Sequence, residues 1–194
     1  LAVQALRKGA VSYVPQRLLS GELLKTLDSV FSVLQNRDNR KRILDCMQLW
    51  RNEFVIDNDS SLIGPLVRYL QEATSRLGLF CQAGEETRMG IALEEALLNS
   101  MYHGNLGVPS ELREEDDSQF YELVEQRRQE SPYSERRITV LSEVSREQAR
   151  FTICDEGAGF DVSKIPDPTD PNNIERVSGR GMLLMRTFMD GVEY

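Results

Sequence analysis

Residues 93–105 read Leu93-Glu-Glu-Ala-Leu-Leu-Asn-Ser-Met-Tyr-His-Gly-Asn105 and place polar side chains at helical spacing. Glu95, Asn99 and His103 follow one another every four residues, so on a helix they share one slowly drifting face. A stripe of this kind is usually the solvated face of a helix. It also suits Mg²⁺, which accepts few protein oxygens and completes its octahedron with water and phosphate. The spacing alone leaves both interpretations open.

Two glycine-containing segments follow later in the chain. The first is Asp155-Glu-Gly-Ala-Gly-Phe160, which comes directly after an alternating run and by itself is typical of a turn. The second is Ser178-Gly-Arg-Gly-Met-Leu-Leu-Met-Arg186, in which glycines precede a helix. Backbone N–H groups at such a helix start can bind phosphate oxygens, although close packing also explains these glycines. A Rossmann site is not indicated, because no GxGxxG lies between a strand and a helix.

The apolar periodicity predicts a mixed α/β domain from residue 53 onward. Residues 138–144 and 150–154 alternate between apolar and polar side chains, which predicts an antiparallel hairpin. Asp161–Ser178 is rich in Pro, Asp and Asn and is long for a loop, which is typical of functional or disordered segments. The other predicted elements are a strand at 53–56, a helix from Ser61 that Gly78 ends, a helix at 85–102 and a last helix at 181–190.

Together and in this order, the three segments resemble the GHKL ATP-binding family of gyrase, the heat-shock chaperone, histidine kinases and mismatch-repair proteins. Glu95-x-x-x-Asn99 resembles the N box of that family, Asp155-x-Gly157-x-Gly159 its first glycine box, and Gly179-Arg180-Gly181 its second. The resemblance implies an α/β (α+β) two-layer sandwich. In that fold a mixed, mostly antiparallel sheet has helices on one face, and ATP lies under a mobile lid.

The resemblance also implies a role for each matched residue. Glu95 would be the general base, Asn99 the ligand of Mg²⁺, and Asp155 the acceptor for the adenine amino group. Asp161–Ser178 would be the lid. The implied cofactors are ATP and Mg²⁺, and the other residues expected to bind ATP are His103, Gly157, Gly159, Gly179, Arg180 and Gly181.

Within that family, residues 95–104 are most similar to the anti-sigma-factor serine kinases. Their pattern E-A-x-x-N-A-x-x-H-G matches this sequence except that Ser100 replaces the second alanine. A histidine kinase needs a phosphoacceptor histidine on its own dimerisation helices, whereas the single histidine here, His103, lies inside the N box. We therefore expect His103 to lie beside the nucleotide or to be packed, rather than to be phosphorylated.

The first 35 residues resemble a different family, the receiver domain of two-component response regulators. Residues 2–31 are similar to its last helix, strand and helix, with Val11–Val14 as the strand. Gln16-Arg17 stands where receivers usually carry Lys-Pro, and the sequence begins with Leu1, so we expect a remnant whose phosphoacceptor Asp lies outside this chain. The predicted organisation is a receiver remnant at 1–35, a helical linker at 36–52, and a GHKL domain at 53–194 that lacks its last strand.

The composition narrows the possible partners. The 194 residues hold 23 Lys and Arg against 31 Asp and Glu, and the formal net charge of −8 argues against binding nucleic acid or a membrane surface by bulk electrostatics. No apolar run approaches the roughly 20 residues of a membrane helix. The three cysteines form no CxxC pair, so neither a disulfide framework nor a zinc site is indicated. We expect a cytoplasmic protein.

These observations favour the ATP-binding output domain of a response regulator. The resemblance implies a protein serine/threonine kinase that phosphorylates a regulatory partner, either a sigma-like protein or an antagonist of an anti-sigma factor. An ATP-dependent binding switch and a slow ATPase are the alternatives, and a homodimer stays open. An insert at residues 107–135 carries an apolar stripe, which favours a solvated helix lying on the domain over a partner surface.

Overall fold

The computed structural model describes residues 2–10, 12–159 and 180–194. The chain divides into two compact units, Leu1–Met47 and Gln48–Tyr194. The predicted lid, Asp161–Ser178, lies outside the described residues. None of the helices in the described part combines the length and the apolar character that crossing a bilayer requires.

The first unit consists mainly of two helices, α1 (Ala2–Arg7) and α2 (Leu19–Asp45). The predicted strand at Val11–Val14 was wrong in its described part, because residues 12–15 form no regular element there. An extended segment needs a neighbouring strand to pair with, and this unit has none among its described residues. The polar run at 35–42 does not interrupt α2, since it contains neither Gly nor Pro.

The second unit contains a three-stranded antiparallel sheet in the order β1, β2, β3. The predicted hairpin is confirmed as β2 (Ile138–Ser145) and β3 (Ala149–Cys154). β1 (Leu49–Ile56) pairs along its whole length with β2, from Leu49 opposite Ser145 to Ile56 opposite Ile138. Residues 49–52 therefore belong to the sheet, and their assignment to a helical linker was wrong.

The helices of the second unit begin and end largely where the turn residues predict. The Asp59 side chain accepts a hydrogen bond from the Ser61 amide at 3.0 Å, at the start of the short turn that leads into the helix at Ile63–Arg76. Gly78 ends that helix with a φ of +77°, which a residue without Cβ adopts freely. The helices are α3 (Ile63–Arg76), α4 (Glu85–Asn99), α5 (Ser110–Glu115), α6 (Asp117–Gln129) and α7 (Arg180–Phe188).

The predicted helix 85–102 differs in its last part. After Asn99 the chain continues as a π-helical segment, Ser100–Asn105. The wider spacing is visible where the amide of Leu106 donates to the carbonyl of Met101 at 2.9 Å, five residues back. The segment therefore turns Asn105 inward, and Asn105 is completely buried.

One core joins the sheet to the helices. Along β2, buried positions alternate with half-buried ones, and the buried positions form the inner face of the strand. Ile138 and Val140 on this face are completely buried. They pack in one cluster with Leu70 of α3 and with Leu97 of α4. The predicted α/β sandwich with helices on a mostly antiparallel sheet is confirmed.

The insert at 107–135 contributes to this core. Phe120 of α6 is completely buried, and its ring lies 5.3 Å from the ring of Tyr102, measured between centroids, in an edge-on contact. Val124, one turn further, is also buried. The insert is therefore a helical layer lying on the domain, as its apolar stripe predicts.

Truncation of Phe120 tests this placement. We expect Phe120→Ala to lower the free energy of unfolding by about 3–5 kcal/mol, because it removes a buried ring and leaves a cavity. Urea denaturation followed by circular dichroism measures the change. The control Glu122→Ala alters an exposed residue of the same helix. Equal midpoints for both variants would contradict the placement of Phe120 in the core.

Candidate nucleotide-binding site

The site begins with the division of α4 into two faces. Leu93 and Leu97 are buried in the core, whereas Glu95 and Asn99 lie on another face and are half-buried. Each residue of a helix is rotated by about 100° from the next, so Glu95 points away from both leucines. Glu94, one position earlier, is exposed. The predicted register of this helix therefore fits the structure.

α7 packs on α4, and its Gly181 lies beside Glu95 and Asn99. A Cβ atom added at Gly181 would lie 2.5 Å from Glu95 Oε2 and 3.4 Å from Asn99 Nδ2. A larger residue at position 181 would therefore force the end of the Glu95 side chain to move. The structure thus brings part of the second glycine box next to the N box.

The loop after β3 meets the other end of the same helical segment. A Cβ atom added at Gly104 would lie 2.5 Å from both carboxylate oxygens of Asp155, and one added at Gly157 would collide with the Gly104 carbonyl. The amide of Gly157 also donates to Asp155 Oδ1 at 2.9 Å. Asp155 is exposed, so its carboxylate is accessible to a ligand.

The remaining predicted residues have different surroundings. Gly159 has a φ of +71°, in the left-handed region that favours glycine. Arg180 is exposed and begins α7. Gly179 lies outside the described residues.

His103 is exposed, and its ring also makes two contacts within the fold. Its Nδ1 lies 2.6 Å from the carbonyl oxygen of Val108, and its ring is 6.4 Å from that of Phe120, centroid to centroid. These contacts tie the π-helical segment to the insert. A contact between His103 and the nucleotide stays a prediction.

Two buried amides are part of the site and were missed. Asn105 Oδ1 accepts a hydrogen bond from the Glu156 amide at 2.8 Å, and Asn105 Nδ2 donates to Asn58 Oδ1 at 2.8 Å. Asn58 is itself buried. Asn105 ends the stretch that the sequence singles out, but a single asparagine after a glycine gives no signal of burial.

Burial raises the pKa of the Glu95 carboxyl group above its usual value of 4.5. The positive charge of Arg113 on α5 acts in the opposite direction, and the neighbouring Glu94 adds to the rise. Burial is the largest of the three causes. Glu95 is therefore a better proton acceptor than an exposed carboxylate.

The residues around α4 suit a magnesium-bound nucleoside triphosphate. The side chains of Glu95 and Asn99, each of which contains oxygen, lie next to Gly181 near the N-terminus of α7. A helix N-terminus is a favourable place for a phosphate group. Mg²⁺ commonly uses only one or two protein oxygens when phosphates are present. No group of three or more His, Cys, Asp or Glu residues that could hold a metal ion occurs in the described part of the chain.

The fold and these three meeting segments define an ATP-binding domain of the histidine kinase-like class. The family model described as the histidine kinase-like ATPase domain matches residues 56–194, and the chain belongs to this family. No curated protein matches the chain significantly.

The buried state of Glu95 gives a pH-dependent stability difference. Because the pKa of Glu95 is higher in the folded than in the unfolded chain, the stability it contributes is present below about 4.5 and is lost as the pH rises through the folded value. We expect Glu95→Gln to become more stable relative to the wild type over that rise and then to level off. Urea denaturation from about pH 4 to about pH 8 measures this.

Glu122→Gln is the control, because Glu122 is exposed on α6 and is not one of the charges that shift the pKa of Glu95. This variant should not follow the pH-dependent rise expected for Glu95→Gln. If the two variants showed the same pH dependence, Glu95 would not be desolvated by the fold.

Proposed function

We propose that this chain is the ATP-binding output domain of a two-component response regulator and acts as a protein serine/threonine kinase on a regulatory partner protein. The main support is the position of Glu95, a half-buried carboxylate of raised pKa beside Asn99 and Gly181. A general base near a phosphate site is what transfer to a hydroxyl group requires. The similarity of residues 95–104 to anti-sigma-factor serine kinases favours a protein hydroxyl as the acceptor.

In the proposed reaction Glu95 takes the proton from a serine or threonine hydroxyl of the partner. The hydroxyl oxygen then bonds to the γ-phosphorus, the bond from that phosphorus to the β,γ-bridging oxygen breaks, and ADP leaves with the electron pair. The amide groups at the start of α7 stabilise charge on the phosphate oxygens. Positioning and charge stabilisation supply most of the rate.

Asn99 would hold Mg²⁺, which neutralises phosphate charge when bound. Asp155 would accept a hydrogen bond from the adenine amino group, and Gly157 and Gly159 would keep its loop close to the base. Gly179, Arg180 and Gly181 would bind the phosphates, with His103 beside them.

The response-regulator context rests on the sequence of residues 1–35. We assign this segment to the end of a receiver domain and expect regulation to reach the ATP-binding domain from the N-terminal side. The partner would be a small regulatory protein, sigma-like or an antagonist of an anti-sigma factor. The acidic chain is not expected to bind nucleic acid.

Mg-ATP should stabilise the folded chain. A ligand at a hundred times its dissociation constant adds about 2.7 kcal/mol to the free energy of unfolding. Thermal melting with and without millimolar Mg-ATP measures the shift, and Asp155→Ala should abolish it. Asp28→Ala, the same change at an exposed residue of the first unit, should leave it intact. A wild-type melting curve that Mg-ATP does not move would refute the nucleotide site.

Variants of α4 should separate chemistry from binding. Glu95→Gln should still bind Mg-ATP but lose about 10²- to 10⁴-fold in transfer rate, because a general base acts only as the proton moves. Asn99→Ala should weaken both Mg-ATP binding and transfer. Glu94→Gln is the control, since Glu94 is exposed and one residue away.

Labelled ATP distinguishes the three possible activities. Label that moves to a protein from a cell lysate with wild type, but not with Glu95→Gln, supports the kinase. Release of free phosphate alone indicates a slow ATPase, and binding with neither product indicates a switch. Loss of activity in Glu94→Gln with full activity in Glu95→Gln would refute the assignment of the base.

A further inference from the structure

A chain of hydrogen bonds runs from the insert to the loop that bears Asp155. Asn58 Nδ2 donates to the carbonyl oxygens of Tyr133 at 3.0 Å and Arg136 at 3.2 Å. Asn58 Oδ1 accepts from Asn105 Nδ2, and Asn105 Oδ1 accepts from the amide of Glu156. Both ends of each carboxamide are thus used, in a buried environment where an unmade hydrogen bond is costly.

Two arginines hold the backbone around Asn105. Arg136 Nη1 donates to the Asn105 carbonyl and Arg127 Nη1 to the Leu106 carbonyl, each at 2.6 Å. Both guanidinium groups lie over the ring of Tyr133, at 4.9 and 4.8 Å from its centroid. The end of the π-helical segment is therefore held by charged donors from the insert and the residues that follow it.

Asn105 binds the residue next to Asp155. Glu156, whose amide Asn105 binds, is the residue between Asp155 and Gly157. The carboxylate of Asp155 lies directly against the backbone of Gly104, with no room for a Cβ atom. A shift of Asn105 would therefore move Gly104 and the loop together or separate them, and either change would displace the Asp155 carboxylate.

We propose that Asn105 is a positioning residue that sets the base selectivity of the nucleotide site, with Asn58 and the insert as its support. The proposal rests on the proposed function, in which Asp155 accepts a hydrogen bond from the adenine amino group. At the position of the adenine amino group guanine presents a carbonyl oxygen, and this oxygen cannot donate to the Asp155 carboxylate. A displaced carboxylate would lose this discrimination, because selectivity between bases depends on a well-placed partner.

Asn105→Leu removes the acceptor for the Glu156 amide and is the direct test. Dissociation constants for Mg-ATP and Mg-GTP, measured by calorimetry on the whole chain, give the selectivity as a ratio. We expect the wild type to prefer ATP and Asn105→Leu to lose at least about tenfold of that preference. Val140→Ala is the control, because it leaves a cavity in the core at a residue outside this hydrogen-bond chain. It should lower the free energy of unfolding and leave the ratio of the two dissociation constants unchanged.

Asn105→Asp provides the conservative rescue. A buried carboxyl group tends to stay protonated, and in that form it can donate to Asn58 and accept from Glu156 as the carboxamide does. The selectivity of this variant should therefore return towards that of the wild type as the pH is lowered, while that of Asn105→Leu should not. A structural role alone would move stability without moving the ratio.

Arg136→Met keeps the test decisive if the variants at 105 do not fold. It removes the donor to the Asn105 carbonyl from a half-buried position, and it should reduce the ratio. Arg68→Met, at an exposed position of α3 outside the insert, should not. A wild type that binds neither nucleotide would overturn the proposed function and this inference with it. A wild type that binds both nucleotides equally would overturn the proposed role of Asp155 and this inference. A wild type that prefers ATP, with the ratio unchanged in Asn105→Leu or, failing its folding, in Arg136→Met, would overturn this inference alone.

Discussion

α4 is packed between the hydrophobic core on one side and α7 on the other, and the rest of the second unit depends on this packing. Leu93 and Leu97 anchor one side of the helix in the core, and their burial fixes its rotation. Glu95 and Asn99 are then held on a different face, where Gly181 of α7 lies beside them. Glu95 is half-buried because a second helix lies on it, although it faces away from the leucines. The rotation of α4 about its own axis thus determines which residues enter the core, and it also sets the exposure and the pKa of Glu95.

The π-helical segment after Asn99 changes the directions in which the last residues of this helical stretch point. A regular helix would continue with bonds to the fourth residue back, whereas here Leu106 bonds to Met101, five residues back. The change places Asn105 inward and lets Gly104 lie against Asp155. Such segments are frequent at functional sites because they re-aim a few residues without ending the helix.

The sequence predicts features that depend on local chemistry and misses those that depend on distant partners. Gly78 ends α3 because its positive φ is a local property, and the β2–β3 hairpin follows from alternation around a short turn. The early start of β1 at residues 49–52 depends on pairing with β2, from Leu49 opposite Ser145 to Asn52 opposite Ser142, at least 90 positions later in the chain. Likewise, Asn58 and Asn105 are buried as a hydrogen-bonded pair whose members lie 47 positions apart in the sequence. Their burial has no local signature, because each is a single polar residue without a periodic context.

Because the chain is acidic, the binding of a polyphosphate ligand must depend on a few nearby hydrogen-bond donors and positive charges. With a net charge of −8, the field of the whole chain opposes an anion, so attraction must come from short-range donors. Amide groups at the start of α7 and the exposed Arg180 lie beside the face of α4 that bears Glu95. A carboxylate in this place would repel phosphate oxygens, and Arg113 partly offsets its charge. Burial meanwhile keeps the pKa of Glu95 raised, so this carboxylate accepts a proton more readily than an exposed one despite its position beside the phosphate site.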